Sequence, residues 1–178
     1  MEKEYLLVPI VKYRYCKGST HGMQRIFFMI IFITTIGLGL QAETVFVSVL
    51  EATPDMELHN FEASSAWESG VLDALFDMGA IVSNTPIQRF SDFTKNEALQ
   101  AAKDGGADSV LVVELKYLVI PEEKSKIRAV PGTIQFNLYS VESGRLLKQL
   151  TYKPSRPSES VDEDKQMAKQ QTQLFYKK

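Results

Sequence analysis

Apolar and polar residues alternate along this chain in patterns that change period from segment to segment. Thr44-Val-Phe-Val-Ser-Val-Leu50 is β-branched and apolar almost throughout, as suits a strand covered on both faces. Thr53-Pro54-Asp55 breaks it, and a polar loop leads to Ala63. Ala63, Trp67, Val71, Ala74, Leu75 and Met78 then recur at helical spacing. A capping-box pair, Ser65 and Glu68, and a stop at Gly79 complete the signature of an amphipathic helix of about four turns. Leu72 and Phe76 widen its apolar face, which places the helix between a sheet and a neighbour.

Ala80 to Asn84 is a short strand closed by Thr85-Pro86, and a second helix opens at Thr94 and Glu97 and ends at Gly105-Gly106. Ser109 to Tyr117 begins as a continuous apolar run and becomes alternating at Glu114 and Lys116, so one end is buried more deeply than the other. Ile134, Phe136 and Leu138 alternate with Gln135, Asn137 and Tyr139. Glu142-Ser143-Gly144 turns the chain into Arg145 to Tyr152, giving a hairpin with one polar face. After a Pro/Ser linker, Pro154 to Ser158, Ser160 and Glu163 open a last helix from Val161 to Phe175.

The predicted order is β-α-β-α-β-β-β-α. Helical crossovers imply parallel pairing of the early strands, and the late hairpin is antiparallel, so the fold class is α/β (α+β), one mixed sheet with helices packed on it. Trp67, Leu75, Val112, Val113, Phe136 and Leu138 are expected in a single core.

A different apolar run precedes all of this. Met23-Gln-Arg25 is a short basic segment, Ile26 to Leu40 is uncharged and apolar, and Leu40-Gln-Ala42 ends in a small residue. That is the pattern of a secretory signal peptide cut between Ala42 and Glu43. Fifteen helical residues reach only about 22 Å, short of the hydrocarbon core, so cleavage is favoured over a retained anchor; membrane anchoring by an uncleaved signal is the alternative. Residues 1–22 show no periodicity or cap and read as an N-terminal extension upstream of the native start at Met23. Residues 23–42 are the signal and 43–178 one periplasmic domain. Cys16 lies before the apolar run, whereas a lipoprotein carries its cysteine immediately after it.

Glu43 to Lys178 holds 15 Lys and Arg against 20 Asp and Glu, a formal charge of −5, and no cysteine. This balance disfavours nucleic-acid binding, which needs a concentrated basic face. Disulfides, thiolate metal sites and thiol nucleophiles are excluded from this part of the chain.

Ser64 to Phe76, Ala107-Asp-Ser-Val-Leu-Val-Val113 and Leu138-Tyr-Ser-Val-Glu-Ser-Gly-Arg145 together resemble a group of bacterial envelope proteins. The group comprises the curli-secretion channel component, the outer-membrane activator of penicillin-binding proteins and the N-terminal domain of the Tol system's β-propeller protein. The resemblance implies a periplasmic, non-enzymatic protein that binds other proteins or assembles. No functional residue is carried over from it.

The chemistry-bearing residues read mostly as scaffold. His59 is the only histidine after the signal and sits in a polar loop. Asp73 and Asp77 lie one helical turn apart, in line with Glu62 and Ser69, opposite the apolar stripe: a solvated face rather than a catalytic pair. Lys103-Asp-Gly-Gly-Ala107 lacks the spacing of a phosphate loop and is a helix stop. Trp67 is a core anchor. No catalytic residue, metal ligand or cofactor is assigned. The candidate interaction site is the charged connection from Ile120 to Pro131, with Glu122, Glu123, Lys124, Lys126 and Arg128. The final helix is the second candidate, because its apolar anchors are few: Val161, Met167, Leu174 and Phe175. The expected partner is an envelope protein, with no nucleic acid and no stable membrane span after cleavage; self-association is compatible with this reading.

Overall fold

The computed structural model describes residues 42–54, 61–121 and 127–177. The signal-like run, His59 and Glu122 to Lys126 lie outside them, as do the side chains of Pro121 and Ile127. Within the compact unit Ala42–Lys178, the strands are β1 (Thr44–Ala52), β2 (Ile81–Asn84), β3 (Gln88–Arg89), β4 (Ser109–Pro121), β5 (Ile127–Ser140) and β6 (Leu146–Tyr152). The helices are α1 (Glu62–Asp77), α2 (Lys95–Asp104) and α3 (Val161–Lys177), with a single 3₁₀ turn at Phe90–Asp92.

One mixed sheet in the order β2-β1-β4-β5-β6 carries the fold, and β3 pairs with β1 beyond the end of β2. β1 is parallel to β2, β3 and β4, while β4–β5 and β5–β6 are antiparallel. The mixed sheet expected from the sequence is therefore present, with the two-residue β3 added.

Side chains alternate across the pleat and divide the interior in two. On one face Val45, Val47, Val49, Leu111, Val113, Leu115, Tyr117, Ile134, Phe136 and Leu138 pack against α1 and α3. On the other, Phe46, Leu50, Val110 and Val112 pack with Ala102 of α2 and Ala107. Val112 thus faces away from Trp67, Leu75, Val113, Phe136 and Leu138, which do share the first core. Adjacent strand residues cannot both face one side, so a single core holding Val112 and Val113 is excluded by the period of the strand.

Trp67, Phe136 and Phe175 form an aromatic column through the first core, with ring centroids 6.4 Å apart for the first pair and 5.6 Å for the second. It ties α1, β5 and α3 together. α1 and α3 run in the same direction, bridged by Lys165–Asp73 at 2.9 Å and Lys169–Asp77 at 2.7 Å. The two aspartates read as a solvated face are thus half-exposed partners of the neighbouring helix. Gly70 makes the close approach: a Cβ there would lie 2.3 Å from the Lys165 carbonyl oxygen and 2.7 Å from the Ala168 Cβ.

Two expectations about helix phase fail. Phe76 is exposed rather than part of the apolar face, one residue out of step with buried Leu75. α3 buries Asp164, Ala168, Thr172 and Phe175, while Val161 and Leu174 are exposed. Its packing stripe is small and polar, so the helix is anchored firmly despite its few large apolar residues. The stops hold: Gly79 and Gly106 follow α1 and α2 with φ of 81° and 71°, values that glycine adopts without strain.

Candidate functional site

β4 and β5 form a longer hairpin than the sequence suggested. After a register shift at Lys116/Tyr117, residues 117–121 still pair with 127–131, so most of the expected loop from Ile120 to Pro131 is ladder. This extension is an arm at the end of the sheet where α1 and α3 begin. Leu118 and Val119 stand on it 57% and 40% exposed, although both are large and apolar.

At the foot of the arm the polar groups are joined in pairs. Tyr117 and Ser64 hydroxyl oxygens are 2.7 Å apart in a buried hydrogen bond, and the Phe61 ring lies 4.3 Å from that of Tyr117, centroid to centroid. The Phe61 N–H donates to Glu51 Oε1 at 3.1 Å. A carboxylate from the end of β1 therefore serves the start of α1, where the sequence had suggested the Ser65–Glu68 box; Ser65 lies inside the helix. Burial pushes the Tyr117 hydroxyl upward from its ordinary value.

The first turn of α3 is held as closely. Trp67 Nε1–H donates to Asp164 Oδ1 at 3.2 Å, and the Arg128 guanidinium donates to the Ser158 carbonyl oxygen. Burial raises the Asp164 carboxyl above the usual range, against hydrogen bonds from Ser158 and Trp67 that favour its charged form. The Glu159 N–H donates to Glu163 at 2.8 Å, which with the adjacent Arg156 lowers Glu163. The Glu163 N–H in turn donates to Ser160 Oγ at 3.2 Å, so the expected Ser160–Glu163 cap forms, with its returning bond going to Glu159.

Between these supports opens a cavity of about 280 Å³. Phe61, Ala63, Val130, Pro131 and Val161 supply apolar wall, and Glu62, Arg128, Ser158 and Asp164 supply polar wall. A smaller cavity of about 140 Å³ lies under α2, beside Ser48 and Thr85.

Of the residues singled out on sequence, Arg128 lines the larger cavity, and Ala42 and Glu43 lie exposed at the head of β1. Glu43 Oε1 accepts from Ser109 Oγ at 2.8 Å. Glu122, Glu123, Lys124 and Lys126 fall outside the described residues. Sequence reasoning missed Leu118, Glu51 and Asp164. Leu118 was legible as an apolar residue between the expected strand, which ended at Tyr117, and the expected loop, which began at Ile120; the other two act only through tertiary contacts.

Among the described residues no group of three or more His, Cys, Asp or Glu could hold a metal ion, and no helix is long and apolar enough to cross a membrane. No family model and no curated protein matches the chain. Several solved structures do. PelC, a dodecamer from Paraburkholderia phytofirmans, is 16% identical over 75% of this chain and 83% of its own, with a TM-score of 0.47. Lipoprotein GNA1162 from Neisseria meningitidis is 13% identical over 66% of this chain and 85% of its own, also at 0.47. The LpoB C-terminal domain from Salmonella enterica is 16% identical over 72% of this chain and 94% of its own, at 0.38. Likeness to the curli-secretion channel component and to the Tol system's β-propeller protein is not shown.

Proposed function

We propose that this chain is an exported, non-enzymatic protein of the bacterial envelope that binds another protein through the β4–β5 arm. The observation that carries the reading is the exposure of Leu118 and Val119, one on each face of a strand-paired arm whose β5 side lines a partly apolar cavity. Large apolar residues left exposed on both faces of a projecting, strand-paired element offer a partner apolar surface to cover. The polar groups around them, Tyr117–Ser64, Trp67–Asp164 and Arg128–Ser158, are joined to one another and so position the arm.

Export is supported by the signal pattern ending at Ala42. Cutting there leaves Glu43, with its bond from Ser109, at the head of β1, so every described strand is kept. Small-ligand binding is the weaker reading, since 280 Å³ falls just below the roughly 300–1,000 Å³ of ordinary ligand sites.

The test is the double variant L118T/V119T, altered only at exposed positions of the arm, scored by melting temperature and by crosslinking to envelope proteins. The expected result is an unchanged melting temperature with a specific crosslinked product lost. Retention of that product at full stability moves the interface away from the arm.

A further inference from the structure

The sheet ends differently on its two sides. β2 is four residues long and uncharged. β6 has seven residues, with β5 on one flank and, among the described residues, no strand on the other. An edge strand presents backbone donors and acceptors without partners, and proteins ordinarily blunt it with proline, short length or charges that point outward. β6 contains no proline; a register shift leaves Leu147 without a partner on β5, and from Lys148 to Tyr152 the ladder is regular. Its one charged residue, Lys148, places its ammonium 5.0 Å from the centroid of the Phe175 ring and so lies over the core face instead of guarding the edge. Leu146 and Leu147 are exposed, as are Gln149 and Thr151.

The charge of this edge is opposite to that of the rest. Arg145 to Lys153 contains three cations and no acidic residue, in a segment, 43–178, whose formal charge is −5. Arg145 and Lys153 are both exposed and bracket the strand.

We propose that β6 is a strand-addition site that takes an extended, acidic segment of a partner protein, continuing the sheet beyond its edge. The segment's backbone would pair with that of β6, its apolar residues would cover Leu146 and Leu147, and its carboxylates would meet Arg145 and Lys153. A second copy of this chain fits less well. Antiparallel pairing of two β6 strands centred on Gln149 sets Arg145 opposite Lys153 of the copy, with like charges directly across the ladder. A head-to-tail arrangement would offer the four uncharged residues of β2 and the two of β3, Gln88 and Arg89, with no carboxylate on either strand. This site lies on the opposite side of β5 from β4 and is independent of docking at the arm.

The probe is the peptide acetyl-Glu-Val-Thr-Val-Glu-Val-Glu-amide, added to the purified protein while amide exchange is followed residue by residue. Protection should appear at β6 amides. A peptide with Lys for every Glu, and one with proline at the central Val, should each bind at least about tenfold more weakly. The double variant R145E/K153E, altered only at exposed residues, should keep its melting temperature and reverse the preference towards the Lys peptide. Equal binding of the acidic and basic peptides, binding that survives the proline, or protection mapping away from β6 would each overturn the proposal. So would β6 protection that rises with protein concentration alone while the protein sediments as a dimer, because the occupant is then a second copy.

Discussion

Gly70 is the position at which an added side chain tests the packing of α1 on α3 and, through it, the floor of the arm. A Cβ at this position falls 2.3 Å from the Lys165 carbonyl oxygen and 2.7 Å from the Ala168 Cβ. Ordinary carbon–oxygen and carbon–carbon contacts are about 3.4 Å and 3.5–4.0 Å, so α3 must retreat by about 1 Å. The obstacle is backbone, and rotamer changes cannot relieve it. Overpacking of this kind costs about 1–3 kcal/mol, while replacing a mid-helix glycine with Val returns only about 0.3–0.5 kcal/mol of helix propensity. Gly70→Val should therefore lose about 0.5–2.7 kcal/mol, a fall in melting temperature of about 1.5–13 °C for a domain of this size. The retreat also draws Asp164 from Trp67, now bonded at 3.2 Å. Trp67 is the only tryptophan, so its emission should move to the red before global unfolding. Thermal melts followed by circular dichroism and intrinsic fluorescence read both effects. A variant melting within about 1 °C of the parent with unchanged emission would refute the close helix crossing.

Three further perturbations have defined outcomes. Because burial raises the folded-state pKa of Asp164, the native state holds its proton to higher pH than the unfolded chain, and this group's contribution to stability declines as pH rises from the ordinary carboxylate value through the raised one. Asp164→Asn, which keeps an acceptor for Trp67, should gain on the parent across that window in urea titrations; a constant difference at every pH contradicts the assignment. Tyr117→Phe leaves the fully buried Ser64 hydroxyl without its partner and should cost about 1–3 kcal/mol by chemical denaturation, with no loss meaning that the 2.7 Å bond is not formed. Asp73→Asn with Asp77→Asn removes two half-exposed ion pairs and should cost less than about 1 kcal/mol in the same assay; a larger loss would show that the bridges, rather than Gly70 and the aromatic column, hold α1 to α3.

Periodicity revealed the elements and their pairing more readily than it revealed their faces. The β1 run, the β5–β6 hairpin and the stops at Gly79 and Gly106 were readable because their signals are local. α3 was misjudged because its buried residues Asp164, Ala168 and Thr172 carry little hydropathy; they are buried by their fit against α1. The start of α1 was misplaced because its acceptor, Glu51, comes from another element. The candidate loop was recognised by its mixed charge, yet the exposed residues that support docking, Leu118 and Val119, precede that charge on a strand whose continuation past Lys116 depends on pairing with β5.

The central claim, that the exported protein docks a partner through the arm, is tested most directly by placing a photoreactive amino acid at Leu118 in the living cell. The same group at Phe76, an exposed apolar position on α1, serves as the control. Irradiation at position 118 should yield one discrete adduct with another envelope protein, on a chain whose N-terminal mass begins at Glu43, and position 76 should not give it. No adduct at 118, or the same adduct from both positions, would contradict the account.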